Sequence, residues 1–149
     1  MYLDSSVLVK LLIRETDSEF YGQLTDGQVI TSSMLAYTEV WAAMMAKERS
    51  KDIAPGLRQH AWMKFERNYL EDVFDLATIS DAIVRRANWI IGRVHSRVPL
   101  RSLDAIHLAT ADQLQDWPIV TNDRRMREAA AFLGYPLAEL PPVSYKIAK

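Results

Sequence analysis

The sequence predicts an α/β fold of three layers, in which a short parallel sheet carries helices on both faces. Three observations point to it. Apolar runs of three to six residues alternate with amphipathic stretches of ten or more along the chain, the lengths expected of buried strands and of the helices between them. That alternation is the signature of parallel strands joined by crossover helices. Asp4 directly follows the first of these runs and Asp123 comes two residues after the last, at the edge where such folds bind and react.

In chain order, residues 1–3 read as a strand and the near-continuous SSVLVKLLI after Asp4 as a helix, with Ser5 or Ser6 as its cap. Residues 17–24 form a second short helix closed by the turn Thr25-Asp26-Gly27. Residues 29–31 are a buried strand, and Ser32 or Ser33 caps a long helix over 34–48. After a polar break at 51–55, the segment 57–71 carries Trp62, Phe65, Tyr69 and Leu70 at helical spacing, a stripe read as core packing. Residues 74–79 are a strand, and Ser80 caps the amphipathic helix 81–94. Pro99 marks a turn, Ser102 caps a helix over 103–114, and 118–121 is a short strand entering the helix 124–133, which Gly134 ends.

No linker, repeat or low-complexity tract divides the 149 residues, so one domain over 1–149 is expected, burying roughly 68–70% of the surface its unfolded chain exposes. Lysine and arginine number 18 against 19 acids, a net charge of −1. A polyanionic partner must then be met by a local basic patch. The absence of cysteine excludes disulfides, thiolate metal sites and a thiol nucleophile. No apolar run approaches the roughly 18 residues of a membrane helix, and Asp4 and Lys10 interrupt the first apolar run too early for an export signal. The expectation is a soluble protein of the cytoplasm.

Asp4, Glu39, Asp104 and Asp123 each interrupt or follow an apolar stretch. A carboxylate that loses water without gaining a partner costs free energy, so four of them at the edges of buried elements point to a shared cation. Each also admits a structural role. Asp4 and Asp104 can be helix-start acids satisfied by free backbone N–H groups, and Asp123 can cap its helix and pair with Arg127 at i+4. Glu39 is hardest to explain locally, because positions 35, 36, 42 and 43 are Leu, Ala, Ala and Ala and offer no ion-pair partner. Hard oxygen ligands without cysteine or a clear histidine pair suit Mg²⁺ or Mn²⁺ better than Zn²⁺. Such sites hydrolyse phosphodiesters, one ion activating water and another stabilising the departing oxyanion.

YLDSSVLVKLL, TSSMLAYTEV, LRSLDAIHLATA and IVTNDRRM resemble, in that order and spacing, the PIN-domain ribonucleases, most closely the VapC toxins of toxin–antitoxin pairs. The resemblance spans nearly the whole chain. It implies a Rossmann-like sheet of about five parallel strands wrapped by helices, often in homodimers. By the same resemblance Asp4, Glu39, Asp104 and Asp123 form the acidic quartet that holds the metal, with Ser6 and Thr121 as the polar residues beside it. RNA is the implied substrate, cut by metal-activated water, and a cognate antitoxin the implied silencing partner.

Arg124 and Arg125 after Asp123, and Lys10 and Arg14 on the first helix, are cations that can line the approach and hold RNA phosphates. A solvated helix face is favoured for Lys10 and Arg127, phosphate binding for Arg124. His107, one turn after Asp104, is read as a packed, hydrogen-bonded histidine, and Asp112 lies about 12 Å along the helix from Asp104, too far to share an ion. His60 and His95 are surface or packing residues. By the family resemblance Asn122 falls at a variable position. Trp41, Met44, Met45, Trp62 and Phe65 give two helices more large apolar side chains than one face needs; core packing is the simpler reading, a groove for a partner helix the other.

Readings from other classes are a Mg²⁺-binding receiver-like signalling module, a haloacid-dehalogenase-type phosphatase and a catalytically silent PIN-type RNA-binding domain. The first expects adjacent acids after the first strand and a lysine after the last, where this chain has one aspartate and arginines. The second expects Asp-x-Asp near the start, where position 6 is serine. Four intact acids argue against the third.

Overall fold

The computed structural model describes residues 1–142. Its elements run β1 (Tyr2–Leu3), α1 (Ser5–Leu12), α2 (Ser18–Thr25), β2 (Ile30–Ser33), α3 (Leu35–Arg49), α4 (Leu57–Leu70), β3 (Phe74–Ala77), α5 (Asp81–Val94), α6 (Ser102–Leu114), β4 (Ile119–Val120) and α7 (Arg124–Leu133). All pairings are parallel, in the order β3-β2-β1-β4.

Alternation along each strand separates two cores. Leu3, Val120, Ile30, Phe74 and Leu76 share one cluster with Val7, Val40, Met44 and Phe65 of α1, α3 and α4. Tyr2 and Ile119 share the other with Ile90, Leu108 and Met126 of α5, α6 and α7. The helices thus cover both faces, as the alternating pattern predicts. No helix among the described residues is long and apolar enough to cross a membrane.

The sheet has four strands where about five were expected. After Gly134 the chain adds only an isolated bridge, Leu137 to Ile119, because Ile119 N–H bonds Pro136 and Ala138 N–H bonds Ile119 without a run of paired residues to either side.

Two helix ends are as the sequence predicts and others differ. Ser80 accepts from Ile83 N–H at 3.3 Å and Gly134 closes α7 at a φ of 75°, a left-handed conformation that suits glycine. Asp4, rather than Ser5 or Ser6, caps α1, its carboxylate accepting from Val7 N–H. Arg101 occupies the cap of α6 without a side-chain bond, and Ser102 is already helical. Ser32 stays in its strand and donates to Leu3 C=O at 2.7 Å, which leaves Ser33 to accept from Leu35 N–H at 3.2 Å.

Candidate active site

The strand order sets the location. From β1 the chain steps outward to β2 and β3, then returns to the opposite side of β1 as β4. Between β1 and β4 the helix connections diverge, leaving a crevice at the carboxyl ends of these strands. Leu3 pairs with Val120 and Asp4 N–H bonds Val120 C=O at 3.1 Å, so the next residues of each strand, Asp4 and Thr121, stand side by side.

Their side chains interlock. Asp4 is 4% exposed. Its Oδ1 accepts from Ser6 Oγ at 2.8 Å and Val7 N–H at 2.9 Å, and its Oδ2 from the Thr121 hydroxyl. Thr121 Oγ1 in turn accepts from Asp123 N–H at 3.0 Å. Asp123 caps α7, accepting from Met126 N–H at 2.9 Å. The pairing with Arg127 that a purely structural role would give it is absent among the described residues: the Arg127 guanidinium donates to Thr121 and Ala138 carbonyls instead, tying α7 to the end of the last strand.

Glu39 enters from α3 and finds its partners on other helices. Its Oε2 accepts from His107 Nε2 at 2.7 Å and from the Ser5 hydroxyl. Burial alone would push the Glu39 carboxyl upward, but the His107 and Ser5 bonds and the His107 charge outweigh it and hold it below the usual range. Asp104, in the first turn of α6, goes the other way: burial raises its carboxyl, Asp123 raises it further, and Arg101 opposes the shift without cancelling it. Asp104 Oδ2 is buried with no hydrogen-bond partner among the described residues.

All four acids line one cavity of about 410 Å³, together with Ser5, Ser6, Ala43, His107, Asn122 and Met126. Thr121 lies beneath it, 1% exposed. The carboxylates surround this space without closing on a point, and among the described residues no three His, Asp or Glu side chains form a ready chelate. Asp4 and Asp123 are turned onto helix N-termini and Glu39 onto His107, partners that these three like charges take in preference to one another. An orphaned carboxylate oxygen in a wall of hard oxygen donors still fits a divalent cation of the Mg²⁺ or Mn²⁺ type.

The cations divide. Arg124 and Arg125 open α7 beside Asp123. The Arg124 side chain is 85% exposed and its nearest acid, Glu128, is 3.7 Å away. Arg14 is exposed and lines separate hollows with Lys10 and Ile13. Lys10 is held by Glu15 and Asp17, both at 2.7 Å, so the solvated face expected for it is a partly buried ion-pair network. Asp112 pairs with Arg86 at 2.6 Å. His60 and His95 are exposed. Met44 and Phe65 are buried, whereas Trp41 and Met45 remain 36% and 37% exposed.

Three polar residues outside the quartet and its Ser6 and Thr121 neighbours also line or touch the cavity. His107 is the packed, hydrogen-bonded histidine expected, yet one of its bonds is to Glu39; the Asp-x-x-His spacing, which sets both side chains on one helix face, was the available signal. Ser5, which local sequence marks only as a cap, donates to Glu39. Asn122 accepts from the Tyr21 hydroxyl and donates to Asp17 at 3.3 Å, contacts that no local pattern announces.

The PIN domain family model matches residues 1–131. Ribonuclease VapC45 of Mycobacterium tuberculosis is 36% identical over 141 residues, 93% of this chain and 94% of that protein. Ribonuclease VapC46 of the same species is 36% identical over 137 residues, 90% and 92% of the two chains. Among solved structures, a chain of a toxin–antitoxin complex from Klebsiella pneumoniae superposes with a TM-score of 0.55 at 19% identity, covering 82% of this chain and 85% of that one, a likeness of fold. The chain belongs to the PIN-domain family, among its VapC-type members.

Proposed function

We propose that this protein is the toxin component of a toxin–antitoxin pair, an endoribonuclease that hydrolyses RNA phosphodiester bonds with a divalent ion held by Asp4, Glu39, Asp104 and Asp123. The observation that carries this reading is the convergence of four acids, from the ends of β1 and β4 and the faces of α3 and α6, on one cavity in which Asp104 Oδ2 is buried and unbonded. VapC-type PIN ribonucleases are generally dependent on divalent metal, and Mg²⁺ or Mn²⁺ is the ion that all-oxygen donors select.

Such an ion supplies the charge that makes water nucleophilic at neutral pH and steadies the departing oxyanion. The chain's own residues fix the geometry. Ser6, Thr121 and the Val7 amide hold Asp4 in one rotamer, and Thr121 carries that order to Asp123 through its backbone N–H. Arg124 and Arg125, with Arg14 farther out, serve as the phosphate-holding cations along the RNA.

The relatives' VapC type supports a VapB-like antitoxin as the partner that silences the enzyme, and the half-exposed Trp41 and Met45 offer it an apolar contact. Residues 1–149 are read as one catalytic domain that pairs into a homodimer and acts in the cytoplasm. Incubation of purified protein with a mixed RNA pool and Mg²⁺ or Mn²⁺, beside Asp4→Asn and Asp104→Asn, tests the reading. Cleavage by the parent alone supports it; equal cleavage by the variants assigns the activity to a contaminant.

A further inference from the structure

Behind Glu39 a line of buried groups runs from the first strand to the cavity. The Tyr2 hydroxyl lies 2.8 Å from His107 Nδ1, and His107 Nε2 lies 2.7 Å from Glu39 Oε2. Ser5 Oγ closes the pattern, donating to the same Glu39 oxygen and standing 3.2 Å from His107 Nε2. Tyr2 is 0% exposed and His107 3%, and the two rings meet edge to face at 6.0 Å.

Chemistry orders the protons along this line. A carboxylate oxygen only accepts, so Nε2 carries the ring proton toward Glu39. Nδ1 faces the Tyr2 hydroxyl, which burial keeps protonated, so the ring is held at both nitrogens. Among the described residues both hydrogen bonds of Glu39 fall on Oε2, so Oε1 is the oxygen left over for a cation in the cavity that the residue lines.

We infer that His107, locked by Tyr2, is a positioning residue that clamps Glu39 Oε2 and thereby presents Oε1 as the ligand oxygen. The inference rests on the reading of the four acids as the metal-holding set. An imidazole fixed by a second partner is the usual device for orienting a group at a metal site, and its loss typically lowers metal affinity about 10- to 100-fold. A histidine that merely filled space would affect folding and leave Glu39 indifferent to it.

The test is a double-mutant cycle on Mn²⁺ affinity, measured by titration calorimetry on the full-length apo protein for wild type, His107→Leu, Glu39→Gln and the double variant. His107→Leu should weaken Mn²⁺ binding about 10-fold or more, and add nothing in the Glu39→Gln background. His107→Gln, whose amide keeps an N–H near the Nε2 position, should recover much of the loss. Tyr2→Phe, which removes the hydroxyl at Nδ1, should weaken binding by a smaller factor and move the Nδ1 ¹⁵N shift of the metal-free protein while the Nε2 shift is kept. Effects of His107→Leu and Glu39→Gln that multiply independently, or a His107→Leu protein that binds like wild type, would overturn the clamp while leaving the acid site standing. A wild type that takes up no Mn²⁺ would overturn the acid site itself, and the clamp with it.

Discussion

The Thr121 hydroxyl donates to Asp4 Oδ2 and accepts from Asp123 N–H, joining the ends of β1 and β4 through one side chain. Thr121→Val keeps the shape and removes the hydroxyl, leaving a buried carboxylate oxygen and an N–H short of a partner. The variant should lose about 1–3 kcal/mol, measured by urea denaturation, and Thr121→Ser should recover most of it. Full stability in Thr121→Val would mean that the bond is replaced at no cost.

Asp104 carries a stability cost of definite sign. Its carboxyl titrates above the ordinary range because burial, then Asp123, disfavours the charge. Between the ordinary value and the raised one the folded state holds a proton that the unfolded chain has released, so stability falls as pH rises through that window. Asp104→Asn should therefore be more stable than wild type at pH 7 in the absence of metal, on the order of 1 kcal/mol. The difference should vanish below the ordinary carboxyl range. Equal melting temperatures across the whole pH range would show that the charge is already compensated.

Lys10 sits between Glu15 and Asp17 with its side chain 14% exposed. Lys10→Met leaves Asp17 without a cation among the described residues while Lys47 still reaches Glu15 at 2.7 Å, so a loss of about 2 kcal/mol is expected, between exposed and buried pairs. RNA affinity should stay within two-fold at roughly 0.15 M salt, where exposed charges beyond a Debye length are screened. A stable variant with weakened RNA binding would reassign Lys10 to the phosphate path.

Much of this was legible in local sequence, for reasons that differ by element. The helices 81–94 and 124–133 were read to the residue because a serine cap or a terminal glycine punctuates strong amphipathic periodicity. Capping at Ser5, Ser6 and Ser102 was misread because an acid or the bare backbone just upstream already held those helix starts. Within the site, Asp4 and Asp123 could be placed from strand ends alone. The partners of Glu39 could not, since Ser5 lies 34 residues before it and His107 68 after, and only the packing of α1, α3 and α6 brings them together.

Arg124 projects into solvent from the first turn of α7 with only a loose contact to Glu128. Arg124→Ala should weaken RNA binding and reduce the magnitude of its log–log salt slope by about 0.7, the increment for one phosphate contact on a single strand. An unchanged slope in filter-binding assays from low to moderate salt would remove Arg124 from the RNA path.

The most direct measurement is the melting temperature of the metal-free protein titrated with Mn²⁺, for wild type and for Asp4→Asn, Glu39→Gln, Asp104→Asn and Asp123→Asn. An ion that binds only the folded state at a hundred times its dissociation constant adds about 2.7 kcal/mol, so the wild-type transition should climb by several degrees and each neutralised variant should climb less or not at all. A wild-type transition that does not move in millimolar Mn²⁺, or variants that all rise with it, would contradict the shared-cation site.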